Sequence, residues 1–210
     1  MPEQGAMRVN GHGDVEVQYI TEYLRDLRHA YNSILVFDGT LERLDRSFRR
    51  YGYPPYFGEF VPPFAPRLSR SRREWPPTEE EVASLIPHSE QLVLTKVQLQ
   101  SPGFWEFLGK LNPLEVIRQY LNDRHEQRKD REYRESAEAR RLKLENLQRE
   151  NTIIRERIQL ARELGATERD LAPLLNELVF RPLGGLERHQ DRGVIENVER
   201  SQLPPPDRPQ

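Results

Sequence analysis

The strongest constraint on this chain is a stretch from Asn112 to Gly165 in which no proline or glycine occurs after Pro113 and before Gly165. An asparagine followed by a proline is a helix start signal, and a glycine at the far end is a stop signal. The stretch therefore predicts a single helix about 80 Å long. Because that length exceeds the diameter of any domain that the rest of the chain can build, we expect the helix to contact another chain or solvent.

The C-terminal part of this helix, residues 137–161, carries a heptad pattern that predicts self-association. Its a and d positions are mostly aliphatic or small, and Asn151 stands at an a position among them. Two such asparagines can hydrogen-bond to each other in a parallel dimer, which makes a parallel dimer the favoured oligomer. The predicted oligomer interface consists of Ala137, Leu144, Leu147, Asn151, Ile154, Ile158 and Ala161.

The alternative is that the same helix packs on its own chain. A second apolar stripe lies off the heptad seam, and a helical segment over 167–180 is available as an intrachain partner. The two arrangements are compatible, because each stripe can serve one of them. Residues 122–136, which precede the seam, are mostly charged, and we interpret them as a solvated spacer rather than a phosphate-binding helix.

Composition limits both the size of the core and the chemistry of any site. Hydrophobic residues make up 36% of the chain and charged residues 31%, with a mean hydropathy of -0.83, which is typical of a small core with extended parts. The chain has no cysteine, which excludes disulfides and thiolate chemistry. The histidines show no metal-ligand spacing, and no phosphate-binding or nucleophile motif occurs. We therefore predict a non-enzymatic protein with no catalytic residue, metal or cofactor.

The start of the chain and its hydropathy predict a cytoplasmic location. Residues 1–13 are polar and contain three glycines, so we interpret them as a flexible leader rather than a signal peptide. No run of about 18 apolar residues occurs, so no membrane-spanning helix is expected. The absence of cysteine is consistent with a reducing compartment.

Residues 14–121 are predicted to form a small α+β module built as strand, helix and strand. Alternating apolar residues predict strands at 15–19 and 93–99. Apolar residues three or four apart predict an amphipathic helix over 24–48, and an open alternative is that Asp38-Gly39 splits it in two.

The end of the module has its own signals. Thr78 and Glu81 predict a capped short helix. Residues 104–108 are interpreted as an aromatic turn or short helix whose rings, including Trp105, fill the core.

An insertion over 51–77 interleaves aromatic residues with prolines, which cannot build helices or central strands. Arginines bracket it, and arginine with aromatic residues is typical both of protein interfaces and of surfaces that hold phosphates and stack bases. A protein partner is the favoured hypothesis, with nucleic acid and a small nucleotide as alternatives. The predicted binding residues are Arg46, Arg49, Arg50, Tyr53, Tyr56, Phe57, Arg70, Arg72, Arg73 and Trp75.

After Gly165 the sequence predicts a C-terminal helical hairpin over 166–190. Thr167 and Asp170 suit a helix start, and Pro182 with Gly184-Gly185 is expected to break the helix. Residues 191–210 are polar and proline-rich, so we predict a disordered tail.

Three short runs are distinctive: SPGFWEFLG at 101–109, LNPLE at 111–115 and NDRH at 122–125. Together they resemble a run in uncharacterised bacterial proteins with a small α+β N-terminal part and a charged helical tail. The resemblance covers residues 91–180 and implies no activity and no catalytic residue. Because some of those proteins accompany bacterial signalling or defence components, such a system is the expected setting for an oligomeric scaffold or adaptor.

Overall fold

The computed structural model describes residues 3–11, 15–51, 77–100, 102–129 and 151–202. Within these ranges, helices pack against a four-stranded antiparallel sheet, so the α+β class is confirmed. The strands are β1 (Gln4–Gly11), β2 (Val93–Gln98), β3 (Gly103–Lys110) and β4 (Val198–Arg200). The helices are α1 (Val17–Tyr51), α2 (Glu79–Ser84), α3 (Leu111–Lys129), α4 (Thr152–Glu163), α5 (Glu168–Leu175) and α6 (Arg181–Asp191), with a 3-10 turn at His88–Glu90 and a π-helical turn at Asn176–Phe180. No helix in the described ranges is both long and apolar enough to cross a membrane.

The sheet has the strand order β2-β3-β1-β4, and β1 is one of its two central strands. β1 pairs along its whole length with β3, from Gln4 opposite Lys110 to Gly11 opposite Gly103. The predicted flexible leader over 1–13 is therefore wrong for 4–11, because Met7 and Val9 on this strand are fully buried. Close packing requires a glycine at position 11, because a Cβ there would lie 2.2 Å from the carbonyl oxygen of Val194. The glycine is therefore not a sign of flexibility.

Two further predictions about the sheet are wrong. Residues 15–19 are not a strand, because Val17 already begins α1. Residues 104–108 are not a turn or helix but belong to β3, where alternate side chains face opposite sides of the sheet. Trp105 and Phe107 point into the core, so the prediction that Trp105 fills the core is confirmed. The strand predicted at 93–99 is confirmed as β2.

The amphipathic helix predicted over 24–48 is confirmed, and it extends over 35 residues as α1 without a break at Asp38-Gly39. An interior glycine costs a helix about 1 kcal/mol. The buried face of α1, which includes Tyr23, Ile34 and Leu41, continues past this point and offsets that cost. The short helix predicted from Thr78 and Glu81 is also confirmed, because the two residues form a capping box before α2.

The single helix predicted over 112–165 is wrong. Asn151 has an extended backbone, and its side-chain oxygen accepts a hydrogen bond of 3.2 Å from the Ile154 N–H, so it caps the start of α4. Its side-chain amide donates to the Val116 carbonyl on α3 at 3.3 Å. The chain between α3 and α4, residues 130–150, lies outside the described residues. α4 packs within its own chain, as the intrachain alternative predicted, but its main partners are α1 and α3 rather than the segment over 167–180.

In the C-terminal region, the predicted helix stop and restart at 165–170 are confirmed, but the break predicted at 182–185 is wrong. Gly165 has a positive φ of 91°, and Thr167 with Asp170 forms a capping box before α5, as predicted. Pro182 with Gly184-Gly185 does not break the helix, because the π-helical turn leads directly into α6, whose first turn tolerates Pro182. The predicted hairpin over 166–190 is therefore a helical run that packs on α1.

The disordered tail predicted over 191–210 is wrong for residues 191–202. Val194, Ile195 and Val198 are buried, and β4 pairs with β1 from Met7 opposite Arg200 to Val9 opposite Val198. Burial of these three apolar side chains stabilises the segment, although its average composition is polar. Residues 203–210 lie outside the described part of the chain.

Candidate functional site

The candidate site is a cleft of about 360 Å³ between α1, the segment after α2 and the junction of β3 with α3. Its lining combines apolar side chains with charged and polar groups that come from four separate places in the sequence. A concave site on which polar groups from several parts of the chain converge is typical of a ligand site. The cleft is lined by Glu3, Leu35, Val36, Asp38, Gly39, Glu42, Arg43, Arg46, Leu85, Ile86, Pro87, Glu90, Lys110, Leu111, Asn112 and Pro113.

Tyr31 on α1 fixes the two loops that border the cleft. Its hydroxyl accepts a 2.8 Å hydrogen bond from the Lys110 N–H and donates a 2.8 Å hydrogen bond to the Glu90 carbonyl. Gly109 allows this approach, because a Cβ there would lie 2.8 Å from the Tyr31 ring. Burial raises the pKa of Tyr31, which keeps the phenol protonated and able to donate.

A salt bridge across the same border joins the side chains of Lys110 and Glu90. The Lys110 Nζ lies 2.8 Å from Glu90 Oε1, and about a quarter of each side chain is exposed. Lys110 ends β3 and Glu90 ends the 3-10 turn, so this pair holds the end of the strand next to the turn. Because the two charges satisfy each other, neither is the main attraction for a ligand.

Asp38 forms the deepest polar wall of the cleft. Its side chain is only 8% exposed, and Arg157 of α4 places its Nε 3.0 Å from Asp38 Oδ1. Asn112 donates a longer hydrogen bond of 3.5 Å to the other carboxylate oxygen. Burial raises the pKa of Asp38 and outweighs the opposing effect of Arg157. The carboxylate thus anchors α4 to α1, although burial disfavours its charge.

Arg43 and Arg46 supply the positive charge at the mouth of the cleft. They lie three residues apart on one face of α1, and both are exposed. Each Nε donates to a backbone carbonyl of its own helix, Arg43 to Gly39 at 3.2 Å and Arg46 to Glu42 at 3.3 Å. No carboxylate in the described ranges forms a salt bridge with either guanidinium group. Partial burial and the nearby charge of Arg46 lower the pKa of Arg43, which shows that the two cations repel each other.

The predicted binding residues divide into three groups. Arg46 lines the cleft, whereas Arg49 forms a 2.9 Å salt bridge with Asp45 and Arg50 lies in the last turn of α1. The remaining predicted binding residues lie outside the described part of the chain: Tyr53, Tyr56, Phe57, Arg70, Arg72, Arg73 and Trp75.

The predicted oligomer interface divides in a similar way. Ala137, Leu144 and Leu147 lie outside the described residues. The other members are buried within their own chain, so in this structure they are not a surface for a second copy: Asn151, Ile154, Ile158 and Ala161. The heptad pattern and the pattern of an intrachain amphipathic helix coincide here, which is why the sequence alone did not separate them.

A second polar cluster joins α1 to α6 and was not expected from the sequence. The fully buried His189 places its Nε2 2.7 Å from Asp26 Oδ2, and Arg188 donates to the same oxygen through Nε at 3.0 Å. Tyr23 packs edge-on against the His189 ring at 5.7 Å between ring centroids. Burial lowers the pKa of His189, which favours a neutral ring. Because the Asp26 carboxylate can only accept, the ring carries its proton on Nε2 and donates a hydrogen bond to Asp26. Since His189 is inaccessible, this cluster has a structural role.

An apolar strip of partly exposed side chains follows the cleft along the chain. We use this name for Leu85, Val93, Leu94, Val97 and Leu99, which are 37% to 55% exposed. Leu85 also lines the cleft. Among the other residues whose side-chain exposure the structure describes, the only large hydrophobic one with comparable exposure is Val17, at 79%. Concentration of exposed apolar side chains in one segment is a mark of an interaction surface.

No protein-family model matches this chain, and the comparisons with curated proteins and with solved structures give no match.

Proposed function

We propose that this chain is a non-enzymatic adaptor that recruits a protein partner by holding an acidic segment of it in the cleft. The observation that carries the proposal is the pair Arg43 and Arg46, which line the cleft without a salt bridge to any described carboxylate. Arginine binds carboxylates in a planar, two-pronged geometry and is favoured in protein interfaces. A carboxylate of the partner would accept hydrogen bonds from the two guanidinium groups. Apolar side chains beside that carboxylate would contact apolar lining residues such as Leu85 and Ile86.

The charges already present in the cleft restrict this partner. Glu90 is paired with Lys110, and Asp38 is paired with Arg157, so these four groups largely neutralise one another. The acidic residues Glu3 and Glu42 also line the cleft and oppose a densely charged polyanion. A partner with one or two carboxylates fits better than a nucleic-acid backbone, whose binding relies on many phosphate contacts.

A cytoplasmic adaptor in a bacterial signalling or defence system is the setting that we propose. The chain has no cysteine, so its fold needs no disulfide and is compatible with a reducing compartment. The bacterial setting comes from the resemblance of residues 91–180 alone.

The test is affinity capture from the native host with the full chain and quantitative mass spectrometry. The variant Arg43→Glu/Arg46→Glu reverses both cleft charges. Its matched control, Arg162→Glu/Arg181→Glu, makes the same change in net charge at two exposed arginines that pair with Glu168 and Glu177 outside the cleft. We expect a partner that is retained by the wild type and by the control but is lost from the cleft variant. Equal capture by both variants would contradict the proposal.

A second candidate function is the sensing of a small nucleotide, and the size of the cleft favours it. A volume of about 360 Å³ lies within the range of small-ligand sites, and Arg43 with Arg46 could hold a phosphate. A thermal-shift screen with mono- and dinucleotides tests this candidate. A melting temperature that rises for the wild type and the control, but not for Arg43→Glu/Arg46→Glu, would support it over a protein partner.

A further inference from the structure

Strand β2 leaves one edge of the sheet open, and we propose that two copies of this chain pair through this edge. β2 is the terminal strand of the sheet, and none of the described strands covers its outer side. The opposite edge is formed by β4, which has only three residues, whereas β2 has six. The unpaired N–H and C=O groups of an edge strand are a template for another strand. This proposal is independent of the cleft and of its ligand.

Leu94 and Val97 of β2 share the face of the sheet that the helices cover elsewhere. Leu94 lies opposite Phe107 and Val97 lies opposite Trp105, and both of these β3 residues are buried. Residues three apart on a strand normally face opposite sides, but the pairing with β3 shifts between Leu94 and Lys96 and brings the two side chains to one face. Leu94 and Val97 nevertheless remain 41% and 45% exposed. The sheet thus extends beyond its helical cover at β2.

The sequence of β2 is nearly self-complementary about the bond between Thr95 and Lys96, and this argues for a second copy as the partner. Antiparallel pairing about that centre sets Leu94 of each copy against Val97 of the other, so apolar side chains meet on the same face. It also sets Thr95 against Lys96, so no like charges are opposed. The complete pairs are Val93 with Gln98, Leu94 with Val97 and Thr95 with Lys96.

Neighbouring registers are less favourable, which makes the pairing specific. Centring on Lys96 would place two lysines directly opposite each other, and centring on Thr95 would place Leu94 opposite Lys96. A twofold axis perpendicular to the sheet generates the favoured register and keeps both helical layers on the same side. The exposed apolar side chains of the two copies would then cover one another.

The first test is the mass of the full chain in solution, measured by light scattering over a concentration series. We expect the wild type to approach twice the 24.8 kDa mass of one chain and Leu94→Lys/Val97→Lys to remain monomeric. The control Val17→Lys introduces a lysine at an exposed valine of α1 and should still dimerise. Melting curves establish that each variant is folded. A wild type that is monomeric up to its solubility limit would overturn the proposal.

The heptad hypothesis for residues 137–161 makes a different prediction in the same assay. If Leu147→Glu dissociates the protein while Leu94→Lys/Val97→Lys does not, association depends on the helical seam and the β2 proposal is wrong. If the effects are reversed, β2 is the interface.

The second test examines the register and uses the absence of native cysteines. Leu94→Cys and Val97→Cys are prepared separately, and oxidation is followed in each variant and in their mixture. The proposed register brings residue 94 of one copy opposite residue 97 of the other, within reach of a disulfide, whereas identical positions lie farther apart. We expect covalent dimers to form several-fold faster in the mixture. Equal rates in the mixture and in the separate variants would overturn the register.

Discussion

Two aspartates on α1, Asp26 and Asp38, show how different surroundings give the same side chain opposite properties. Both are largely buried, and burial raises the pKa of each. At Asp26 the hydrogen bonds from His189 and Arg188 outweigh burial, so the pKa lies below its ordinary value of 3.8. At Asp38 the interaction with Arg157 does not outweigh burial, so the pKa lies above that value. The deeper burial of Asp38 and its smaller number of close donors together account for the opposite direction.

The difference also separates a structural site from a candidate binding site. Asp26 is enclosed by groups of its own chain that satisfy its charge and hold α6 against α1. Asp38 lines an open cleft and has one salt bridge and one long hydrogen bond. A buried carboxylate beside an open cleft is sensitive to the charge of whatever binds there, whereas the enclosed Asp26 is not.

The largest effect is expected from a matched pair of isosteric substitutions. Asp26→Asn removes a charged acceptor from His189 and Arg188, and should lower the free energy of unfolding by about 1.5–3 kcal/mol at pH 7. Asp38→Asn removes a charge that burial disfavours and leaves Arg157, whose side chain is 22% exposed and can be solvated, so its effect should stay within about 1 kcal/mol of zero. Urea denaturation monitored by circular dichroism measures both. The comparison fails if Asp38→Asn is the more destabilising change.

A smaller effect is expected when Asp38 loses its partner. Arg157→Gln should cost about 1 kcal/mol at pH 7, because the Asp38 carboxylate then lacks a salt bridge. The loss should shrink as the pH falls through the raised pKa of Asp38, since a protonated Asp38 no longer needs the cation. Urea denaturation at several pH values measures this, and the same substitution in an Asp38→Asn background is the control. An equal loss at every pH would mean that Arg157 acts by packing alone.

Local signals predicted the elements whose structure depends on a few adjacent residues. The capping residue Thr78, the stop at Gly165 and the apolar face of α1 were readable from spacing alone, because capping bonds and helical periodicity are short-range. The strand β1 was not readable in this way. Its partner β3 lies about a hundred residues away, and glycines at positions 5 and 11 imitate a flexible leader.

The candidate site was even less predictable, because tertiary packing assembles it. Arg46 was selected for its charge, but Tyr31, Asp38 and Lys110 carry no motif and meet only when β3 and the segment after α2 dock on α1. Asn151 illustrates a genuine ambiguity. An asparagine among aliphatic residues suits both a heptad a position and an N-cap, and only the backbone geometry distinguishes the two.

The finest test of the comparison is direct titration of the two carboxyl groups. Carbon-detected NMR of side-chain carboxyls should place the midpoint of Asp26 below 3.8 and that of Asp38 above it. A lowered pKa means that Asp26 stabilises the fold above pH 3.8 and that this contribution is lost as the pH falls through its folded pKa. A raised pKa means the reverse for Asp38, whose ionisation costs stability at neutral pH and whose protonation at lower pH relieves that cost. Asp26→Asn and Asp38→Asn assign the two signals.

Because an anion held by Arg43 and Arg46 would disfavour a charge on the neighbouring Asp38, a bound acidic ligand should raise the Asp38 midpoint further and leave that of Asp26 unchanged. Midpoints on the same side of 3.8 would remove the distinction between the two sites.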